Sequence, residues 1–334
     1  MSPALLVRLR PAGPWRAGPD SGDRSRVDAV YHSDSLYSAV TSAMLRLGHL
    51  EDWLAATARN PEAPAVRFSS CFPFLDELDF IVPPRTLWPP AASPKVRWKR
   101  ARFVPVSVIS ALLAGQQPGE DFWVDGLSEC LMPADRPGPF RFSLRSNAAV
   151  DRLSGSVEWH ATACMEFRED AGLWALAWFA DEEQRARWSD PVKAAFRLLA
   201  DSGFGGERSR GWGRALEPAF TEGMFPDLLI PGHDLGSDQQ DRGYWLISLF
   251  SPAGSDAIDW QRGDYEITTR GGRIESAAGH GQVKKLVRMI TEGSVLFARD
   301  TIRGAAPDVA PENFPHPVFR AGFAVSIPLP AAQP

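Results

Sequence analysis

The sequence predicts an α+β fold in two domains, because short strand-like patterns recur along the chain with a few helical patterns between them. The stretch Ala4 to Arg10, for example, alternates apolar and polar positions, which is typical of a half-buried strand. The chain has 334 residues and 44% hydrophobic content, which is long for one small domain. A stretch from about Phe225 to Arg242 is rich in Pro, Gly, Asp and Gln and has little periodicity. We therefore expect one domain over 1–225 and a second over 243–328.

The overall charge argues against a large nucleic-acid-binding surface. The formal net charge is −5, from 36 Lys and Arg residues against 41 Asp and Glu residues. A free nucleic-acid-binding protein is usually basic. A local basic groove within an otherwise acidic protein is still compatible with this composition.

Cysteine usage and hydropathy indicate the compartment. The three cysteines lie far apart without a CxxC motif, so the sequence predicts no disulfide framework, no zinc site and no cofactor. A reducing compartment fits best. The chain has no run of about 18 apolar residues, and its start lacks the long apolar region of a signal peptide. We expect a cytoplasmic protein with no membrane contact.

The first predicted strand, Ala4 to Arg10, is followed by a polar loop and then by a helix. Ser33 or Asp34 is a good N-cap for this helix, and Gly48 is placed to end it. Its apolar face consists of Leu36, Val40, Met44 and Leu47. Because the first N–H groups of a helix have no partner within the helix, its start is also a candidate phosphate site. Simple capping is the alternative role for Ser33 and Asp34.

The segment before residue 140 contains the densest basic run in the chain. We predict a short helix over Leu50 to Ala58, a strand over Val66 to Phe74, an irregular stretch over Pro83 to Pro94 and a helix over Val104 to Gly115. The basic run includes Lys95, Lys99, Arg100 and Arg102, with Trp98 among them. Cations around an aromatic residue suit contact with nucleic acid or an acidic partner. A solvated face is the alternative.

A protruding hairpin is predicted over residues 140–168. Phe140 to Arg145 alternates apolar and polar residues, a turn-rich link follows, and Val157 to Phe167 returns as the second strand. A further strand, Leu173 to Phe179, precedes another helix. Asp190 is a good N-cap for that helix, and Pro191 suits its first position.

The stretch Gly203 to Arg214 holds five glycines and three arginines, and Gly203 ends the preceding helix. Glycines permit positive φ and a close approach of the backbone to a ligand. Successive N–H groups in such a loop can bind an anion, and arginine side chains match phosphate oxygens. The loop lacks the Gly-Lys-Ser/Thr ending of a P-loop, and it follows a helix, unlike a dinucleotide-binding loop. We interpret it as a cradle for a charged backbone, with a plain helix-to-strand connection as the alternative.

The remaining segments are predicted to be mainly strands. Ala215 to Phe220 closes the first domain. Beyond residue 243 no long helical pattern is present, and Gly271-Gly272 marks a turn. The predicted strands of this part are Tyr244 to Phe250, Asp264 to Thr269, Val283 to Thr291, Val295 to Ala298 and Val318 to Ile327.

Taken in order along the chain, these motifs resemble the RAMP proteins of CRISPR effector complexes. His32 to Ala39 is similar to the start of the family's first helix, Arg145 to Gly155 to the base of its thumb hairpin, and the glycine-rich stretch to its characteristic loop. Glu292-Gly293-Ser294 and His316 to Arg320 are similar to closing motifs of the type III-A (Csm) subunit that caps the 5′ end of the guide RNA. The resemblance covers nearly the whole chain.

The resemblance implies two RRM-like (ferredoxin-type) domains, with a glycine-rich loop at 203–214 and an inserted thumb β-hairpin. It implies a structural, RNA-binding role in antiviral defence, in which the protein holds the 5′ tag of the crRNA. The implied partners are that tag, target RNA near it, the large polymerase-like subunit and the adjacent backbone RAMP subunit. Most of the acidic surface would then face proteins, while a local basic cleft faces single-stranded RNA.

Residue by residue, the resemblance assigns RNA contacts to the first helix, the thumb base and the glycine-rich loop. The candidate RNA-binding residues are Ser33, Arg145, Asn147, Arg152, Gly205, Gly206, Arg208, Ser209, Arg210 and Trp212. Lys95, Lys99, Arg100 and Arg102 are expected to contact RNA or a partner. A core position is the alternative for Trp212, and a turn cap or a pair with Arg152 is the alternative for Asp151. No catalytic or metal-binding residue is predicted.

The main alternative is a RAMP endoribonuclease that processes precursor crRNA with His32 as general acid or base. Metal-independent RNA cleavage needs a proton shuttle that titrates near neutral pH. The six histidines form no pair in the sequence, and no HxxxH spacing is present. Asp34 has a structural interpretation as a helix cap, although the backbone RAMP cuts with an early aspartate. We expect no enzyme activity; the cap subunit of another type III complex is a further alternative.

Overall fold

The computed structural model describes residues 2–19, 22–90, 96–119, 121–134, 136–232, 242–276 and 279–329. These residues form both helices and antiparallel sheets, which confirms the predicted α+β class. The helices are α1 Ser33–Arg46, α2 Leu50–Ala56, α3 Val106–Leu113 and α4 Glu182–Ser202, with 3-10 helices at Val96–Arg100 and Arg208–Arg210. None of the described helices is both long and apolar enough to cross a membrane.

The strands fall into an N-terminal and a C-terminal group. Those up to residue 225 are β1 Ser2–Leu9, β2 Val66–Phe68, β3 Phe72–Leu75, β4 Leu78–Ile81, β5 Val104–Pro105, β6 Phe122–Val124, β7 Leu131–Pro133, β8 Phe140–Val150, β9 Val157–Phe167, β10 Ala171–Phe179 and β11 Ala219–Phe225. Those beyond it are β12 Arg242–Leu246, β13 Ile258–Asp264, β14 Ile267–Arg270, β15 Arg273–Ser276, β16 Gly279–Val283, β17 Val287–Ile290, β18 Val295–Ala298, β19 Gly304–Ala305, β20 Gly322–Phe323 and β21 Ser326–Leu329.

The N-terminal part is built on a seven-stranded sheet with the order β11-β1-β10-β3-β4-β5, in which β2 also pairs with β10. At its centre β1 pairs antiparallel with β10, which is almost entirely apolar and buried. An apolar run without alternation is typical of a strand buried on both faces. Helix α4 packs against this centre and against α1. The last strand of this sheet, predicted to start at Ala215, begins at Ala219 as β11. Ala215 instead forms an isolated bridge with Pro11.

Helix α1 begins directly after His32, whose backbone is extended and whose side chain makes no capping hydrogen bond. The prediction that Ser33 or Asp34 caps this helix is wrong. The Ser33 hydroxyl accepts a hydrogen bond from the N–H of Leu249, and the Asp34 carboxylate pairs with arginines of the C-terminal part. Ser33 and Asp34 therefore make tertiary contacts instead of capping helix α1.

Helix α4 begins at Glu182, nine residues before the predicted start at Pro191. Its N-cap is Asp181, whose carboxylate accepts from the N–H of Gln184 at 2.8 Å. Asp190 and Pro191 therefore lie inside the helix, and the prediction that they start it is wrong. Acidic residues in the first turn favour the earlier start through the helix dipole. An interior proline loses one backbone hydrogen bond, and burial of the apolar face of α4 offsets this loss.

Strands β8 and β9 form a hairpin in full register, Phe140–Val150 opposite Val157–Phe167. Among the described residues it pairs with no other strand; an isolated bridge joins Trp15 to Met165 at its base. Because successive residues point to opposite faces, one face of the hairpin is largely apolar and the other is polar. Asp151 organises the turn by accepting from a backbone N–H two residues further on. This contact agrees with the turn-cap interpretation of Asp151.

The C-terminal part contains a four-stranded sheet with the order β13-β18-β12-β21. Two further strand pairs, β14 with β17 and β15 with β16, lie next to each other along the chain, and Gly271-Gly272 forms the predicted turn between β14 and β15. Beyond residue 242 the described residues contain no helix. Strand β18 coincides with the prediction. Strand β12 ends before the predicted end, because the chain at Ile247 turns to accept from the N–H of Ser70 at 2.9 Å.

The two parts share one continuous apolar core, to which the C-terminal part contributes Trp245, Ile247 and Val295. The Trp245 indole N–H also donates to the carbonyl of Val82 at 3.1 Å. The domain boundary predicted near residues 225–242 remains a prediction, and residues 233–241 of that stretch lie outside the described residues. The close packing positions helix α1 directly against strands of the C-terminal part.

The two possible starts of helix α4 make different predictions for stability. Asp181→Ala should lower the free energy of unfolding by about 0.5–2 kcal/mol, because it leaves the N–H of Gln184 without its cap. Asp190→Ala is the matched control, and it should change stability by less than about 0.5 kcal/mol. Denaturant titration measures both. A larger loss for Asp190→Ala than for Asp181→Ala would contradict the observed helix start.

Candidate nucleic-acid interface

A cleft of about 400 Å³ opens where three segments of the chain meet. Helix α1 contributes Ser35 and Ser38 to one wall, and the glycine-rich loop contributes Gly205 and Gly206 to another. The turn between β14 and β15 forms the third wall. The fold thus joins two segments that the sequence analysis proposes separately as phosphate sites, and it adds one from the C-terminal part.

Asp34 is buried at the floor of the cleft between two arginines of the C-terminal part. Arg270 donates to both Asp34 carboxylate oxygens, at 3.0 and 3.1 Å, and Arg320 donates to Asp34 and to the carbonyl of Gly271. Burial alone would raise the pKa of Asp34, but the two guanidinium groups outweigh it and hold that pKa well below its usual range. One carboxylate thus faces two arginines, so the floor keeps an excess of positive charge. The Nε of Arg320 has no hydrogen-bond partner in the described part of the chain.

His32 lies beside this floor and is held between two carboxylates. Its Nδ1 lies 2.8 Å from Glu292 Oε1, and its Nε2 lies 3.0 Å from Asp28 Oδ2. Burial alone would lower the pKa of His32, but the carboxylates raise it to about 10. Burial likewise would raise the pKa of Glu292, yet His32 and the Ser70 hydroxyl lower it. At neutral pH, His32 is therefore a buried imidazolium whose charge is offset by Asp28 and Glu292.

The glycine-rich loop is anchored by Phe204, whose ring packs edge-on against Trp15 and Tyr31 with centroids 4.3 and 5.2 Å apart. Gly205 has a φ of +90°, and a Cβ there would lie 2.5 Å from the carbonyl oxygen of Arg16. From the sequence, such glycines are expected to allow close approach of a ligand. At Gly205 the structure shows that the close approach is to the chain itself.

Arg16 supports the glycine-rich loop from the segment after β1, a role that is not predicted from the sequence. Its buried guanidinium donates to four backbone carbonyls, those of Asp23, Arg24, Arg26 and Ala163. Its own carbonyl accepts from the N–H of Gly206 at 2.8 Å. Arg16 therefore ties the glycine-rich loop to the base of the β8–β9 hairpin. The sequence offers no signal for it, because it lies among other arginines in an irregular loop.

Two arginines of the loop project beyond this packed base. Arg208 pairs across the mouth of the cleft with Glu275 of β15. Arg210 lies 3.0 Å from Glu207 and 3.3 Å from the Nε2 of His160, on the polar face of the hairpin. Both arginines are exposed, so their guanidinium groups can exchange these partners for a solvent-borne anion.

The charges that line the cleft differ in sign from the charge of the whole protein. Six cationic side chains face three anionic ones, an excess of three positive charges with His32 protonated. The whole chain carries −5. The cations are His32, Arg208, Arg270, Arg273, Lys284 and Arg320, and the anions are Asp28, Asp34 and Glu275. The cleft is therefore a local basic site in an acidic protein.

The structure places some of the predicted RNA-binding residues away from the cleft surface. Ser33 is buried, with its hydroxyl and its N–H bound to Leu249 and Ser70. Trp212 is 9% exposed and belongs with the core. Among the loop residues, Gly205, Gly206 and Arg208 line the cleft, while Ser209 and Arg210 are exposed beside it.

The predicted residues of the thumb base lie along one edge of the hairpin. Arg145 pairs with Glu166, and the Asn147 side chain donates to the Arg145 carbonyl at 3.1 Å. Arg152 is exposed in the hairpin turn. The contact between Arg210 and His160 connects this polar face with the glycine-rich loop.

The basic run lies next to a second cavity of about 620 Å³, which shares Asp28, Val30 and His32 with the cleft. Lys99 and Arg102 line it, and Arg102 also pairs with Asp28 at 3.0 Å. Arg100 is exposed. Lys95 lies outside the described residues.

Much of the cleft comes from residues that the sequence analysis did not select. Arg270, Arg273, Lys284 and Arg320 all belong to the C-terminal part. The pattern Arg270-Gly271-Gly272-Arg273, with two glycines between arginines, is the signal that identifies part of this wall. The described residues contain no group of three or more His, Cys, Asp or Glu side chains that could hold a metal ion.

The C-terminal wall of the cleft lies in a segment that matches a family model. Residues 239–329 match the family model described as the CRISPR Csm4 C-terminal domain. This segment is similar to that domain and is called the Csm4-type domain below. It contains Arg270, Arg273, Lys284 and Arg320, so the Csm4-type domain supplies most of the cations in the cleft. No curated protein matches the chain.

Solved structures extend this likeness over the whole chain. A chain from the crystal structure of a Csm3-Csm4 subcomplex of the type III-A CRISPR-Cas interference complex has a TM-score of 0.65 and 16% identity, covering 97% of this chain and 99% of that one. A chain from a Csm1-Csm4 cassette in complex with cA4 has a TM-score of 0.58 and 16% identity, covering 99% of both chains. At this identity the likeness shows the fold. Together with the Csm4 domain match, it confirms the resemblance to a type III-A Csm RAMP subunit.

The buried His32 makes the stability of the protein depend on pH. An unfolded histidine loses its proton near pH 6.5, whereas folded His32 keeps it to about pH 10. Its stabilisation is therefore complete below about pH 6.5 and is lost progressively as pH rises towards about 10, by up to about 1.4 kcal/mol per pH unit. Denaturant titrations between about pH 6 and about pH 8 avoid the thiols, which titrate higher.

His32→Gln provides the comparison for this pH dependence. The variant should be less stable than the wild type at about pH 6, because Glu292 and Asp28 lose their buried cation. Its stability should also change less with pH over the same range. An equal slope in the variant and the wild type would show that His32 does not carry the effect.

Proposed function

We propose that this chain is the non-catalytic subunit of a type III-A CRISPR complex that holds the 5′ tag of the crRNA. The observation that carries the proposal is the cleft between α1, the glycine-rich loop and the Csm4-type domain, with its excess of three positive charges. A cleft that is positive within an acidic protein suits a polyanion bound at one place. Its mixture of arginines, serine hydroxyls and glycine backbone suits single-stranded RNA held through phosphates.

The charge distribution indicates which cations of the cleft would contact the RNA directly. Arg208 and Arg273 lie at the mouth of the cleft, while Arg270 and Arg320 are buried at its floor and are engaged by Asp34. Direct phosphate contacts therefore fall to the exposed cations, and the buried pair contributes a fixed positive potential. In this arrangement Ser35 and Ser38 take the role on helix α1 that the sequence analysis gave to Ser33.

The topology supports the finer fold assignment. The order β11-β1-β10-β3, with α1 after β1 and α4 after β10, is the arrangement of an RRM-like (ferredoxin-type) domain. In this proposal the β8–β9 hairpin is the thumb inserted into that domain, and the C-terminal part is the second RRM-like domain. The exposed Leu153 and Trp159 near the hairpin tip, 99% and 75% exposed, suit contact with nucleic acid bases or a neighbouring subunit.

The similar structures support the choice of partners. In those structures, Csm4 occurs with Csm3 in one complex and with Csm1 in another. We propose the corresponding partners here, a backbone RAMP subunit and the large polymerase-like subunit. Target RNA near the tag is the further proposed contact, and a cytoplasmic location belongs to the same proposal.

The setting of His32 supports a role without catalysis. A general acid or base for RNA cleavage titrates near neutral pH and faces the substrate. His32 has both ring nitrogens bound to carboxylates and a pKa raised to about 10. Asp34, the other candidate, is buried between Arg270 and Arg320. These contacts give both residues a structural role in joining the two parts of the chain.

Binding of a labelled guide RNA that carries its 5′ tag tests the proposal. Arg208→Ala and Arg273→Ala should each weaken binding about fivefold, because each removes one phosphate contact. Each should also reduce the slope of log K against log salt by about 0.7. Fluorescence anisotropy over a salt series measures both quantities, with the full chain or its complex with neighbouring subunits.

Arg197→Ala is the matched control. Arg197 is an exposed arginine that also pairs with a glutamate, Glu217, at 2.7 Å, but it does not line the cleft. Its loss should leave binding unchanged. Equal binding of tagged and untagged RNA, or equal loss in all three variants, would contradict the proposal. Cleavage of the RNA that disappears in His32→Gln would instead favour the endoribonuclease alternative.

A further inference from the structure

The mouth of the cleft is bridged by an ion pair between its two parts. Arg208 comes from the glycine-rich loop, and Glu275 comes from strand β15 of the Csm4-type domain. The Nη2 of Arg208 donates to both carboxylate oxygens of Glu275. The two side chains are 43% and 70% exposed, so the pair lies in solvent at the entrance.

Glu275 differs from the other two anions that line the cleft. Asp34 is buried and is engaged by Arg270 and Arg320. Asp28 is engaged by His32 and Arg102. Both of them serve the structure of the protein. Glu275 is the exposed anion of this set, and its bond to Arg208 is a surface pair of the kind that is worth only about 0.2–1 kcal/mol.

A guanidinium can bind a carboxylate and a phosphodiester in the same way. Each presents two partly negative oxygens that a planar donor group can bind together. We propose that the Glu275 carboxylate occupies a phosphodiester position of the guide RNA, and that Arg208 exchanges Glu275 for an RNA phosphate on binding. This inference rests on the proposed RNA-binding function and identifies one phosphate position within that site.

The exchange has a cost that applies to every anion that binds Arg208. Such an anion gains a contact with Arg208 but loses the Arg208–Glu275 pair, so part of its gain is cancelled. An RNA strand makes the same exchange and also gains contacts at other cations of the cleft, such as Arg273 and Lys284, which line it beyond Arg208. Glu275 therefore lowers the affinities for a small anion and for RNA by a similar factor, and the additional contacts keep RNA bound more tightly than the small anion.

Glu275→Gln tests the exchange, because it keeps the side-chain size and removes the competing charge. The variant should bind tagged guide RNA about twofold to fivefold more tightly than the wild type. Introduced into Arg208→Ala, the same substitution should give a smaller gain, since Glu275 then has no arginine to occupy and acts only through its charge. Anisotropy measured on the four proteins of this double-mutant cycle gives the coupling directly.

Glu51→Gln is the matched control. Glu51 pairs with Arg59 at 2.7 Å, with exposures of 74% and 41%, and does not line the cleft. It should leave RNA binding unchanged, although it removes the same charge. Thermal melts of all variants verify that they are folded.

The outcomes separate this inference from the function on which it rests. No tag-dependent binding by the wild type would overturn the proposed function itself. Binding that Arg208→Ala weakens but Glu275→Gln leaves unchanged would overturn the exchange alone. An equal gain from Glu275→Gln with and without Arg208 would also overturn it, because the gain would then come from net charge. Glu275→Gln should also raise the apparent affinity for inorganic phosphate by a similar factor, and no rise would contradict the exchange.

Discussion

The interaction on which the rest of the structure depends is the buried carboxylate of Asp34 between Arg270 and Arg320. A buried charge is costly unless it is paired, so Asp34 requires that both arginines reach the start of helix α1. This requirement fixes the Csm4-type domain against the N-terminal sheet. It also positions the Gly271 turn, whose carbonyl accepts from Arg320. His32 adds a second buried pair beside it, with Glu292.

The positive potential of the cleft comes mainly from the cations around its opening. In the buried joint two arginines and an imidazolium are balanced by Asp34, Asp28 and Glu292, whereas Arg208, Arg273 and Lys284 add positive charge around the opening. The joint is therefore a structural support for the side chains that give the cleft its charge. The glycine-rich loop plays a complementary part: Phe204 and the internal packing at Gly205 hold its base, so that Arg208 and Arg210 project from a fixed support. Preorganised donors of this kind lose less entropy when they bind.

The sequence predicts the local elements of this fold well and the contacts between its parts poorly. Strand β1, strand β18 and the hairpin over 140–167 agree with the structure, because neighbouring residues decide them. The half-buried pattern predicted for β1 is wrong, since the strand is buried on both faces. The predicted start of α4 is wrong. Asp190-Pro191 is a strong local start signal, but burial of the apolar face of the longer helix overrides it. The glycine-rich loop lines the cleft, and its role as a cradle for a charged backbone stays a prediction. Gly205 itself is required by the close approach of the Arg16 carbonyl.

The candidate site was only partly predictable for a physical reason. Arg270 and Arg320 reach Asp34 from 236 and 286 residues away, and no periodic pattern encodes a contact at that separation. The family resemblance assigns a phosphate contact to Ser33, yet the packing of the Csm4-type domain buries it. The sequence pattern gives the residue types that suit RNA, and the packing of the two parts decides which of them face it.

The central claim is that guide RNA lies between the glycine-rich loop and the turn of the Csm4-type domain. Hydrogen–deuterium exchange of the protein, with tagged guide RNA and without it, tests this claim most directly. The account predicts slower exchange on binding in peptides that cover Gly205 to Arg210 and in peptides that cover Gly271 to Glu275, with a smaller effect for untagged RNA. Slower exchange confined to the β8–β9 hairpin, with both of those segments unchanged, would contradict it.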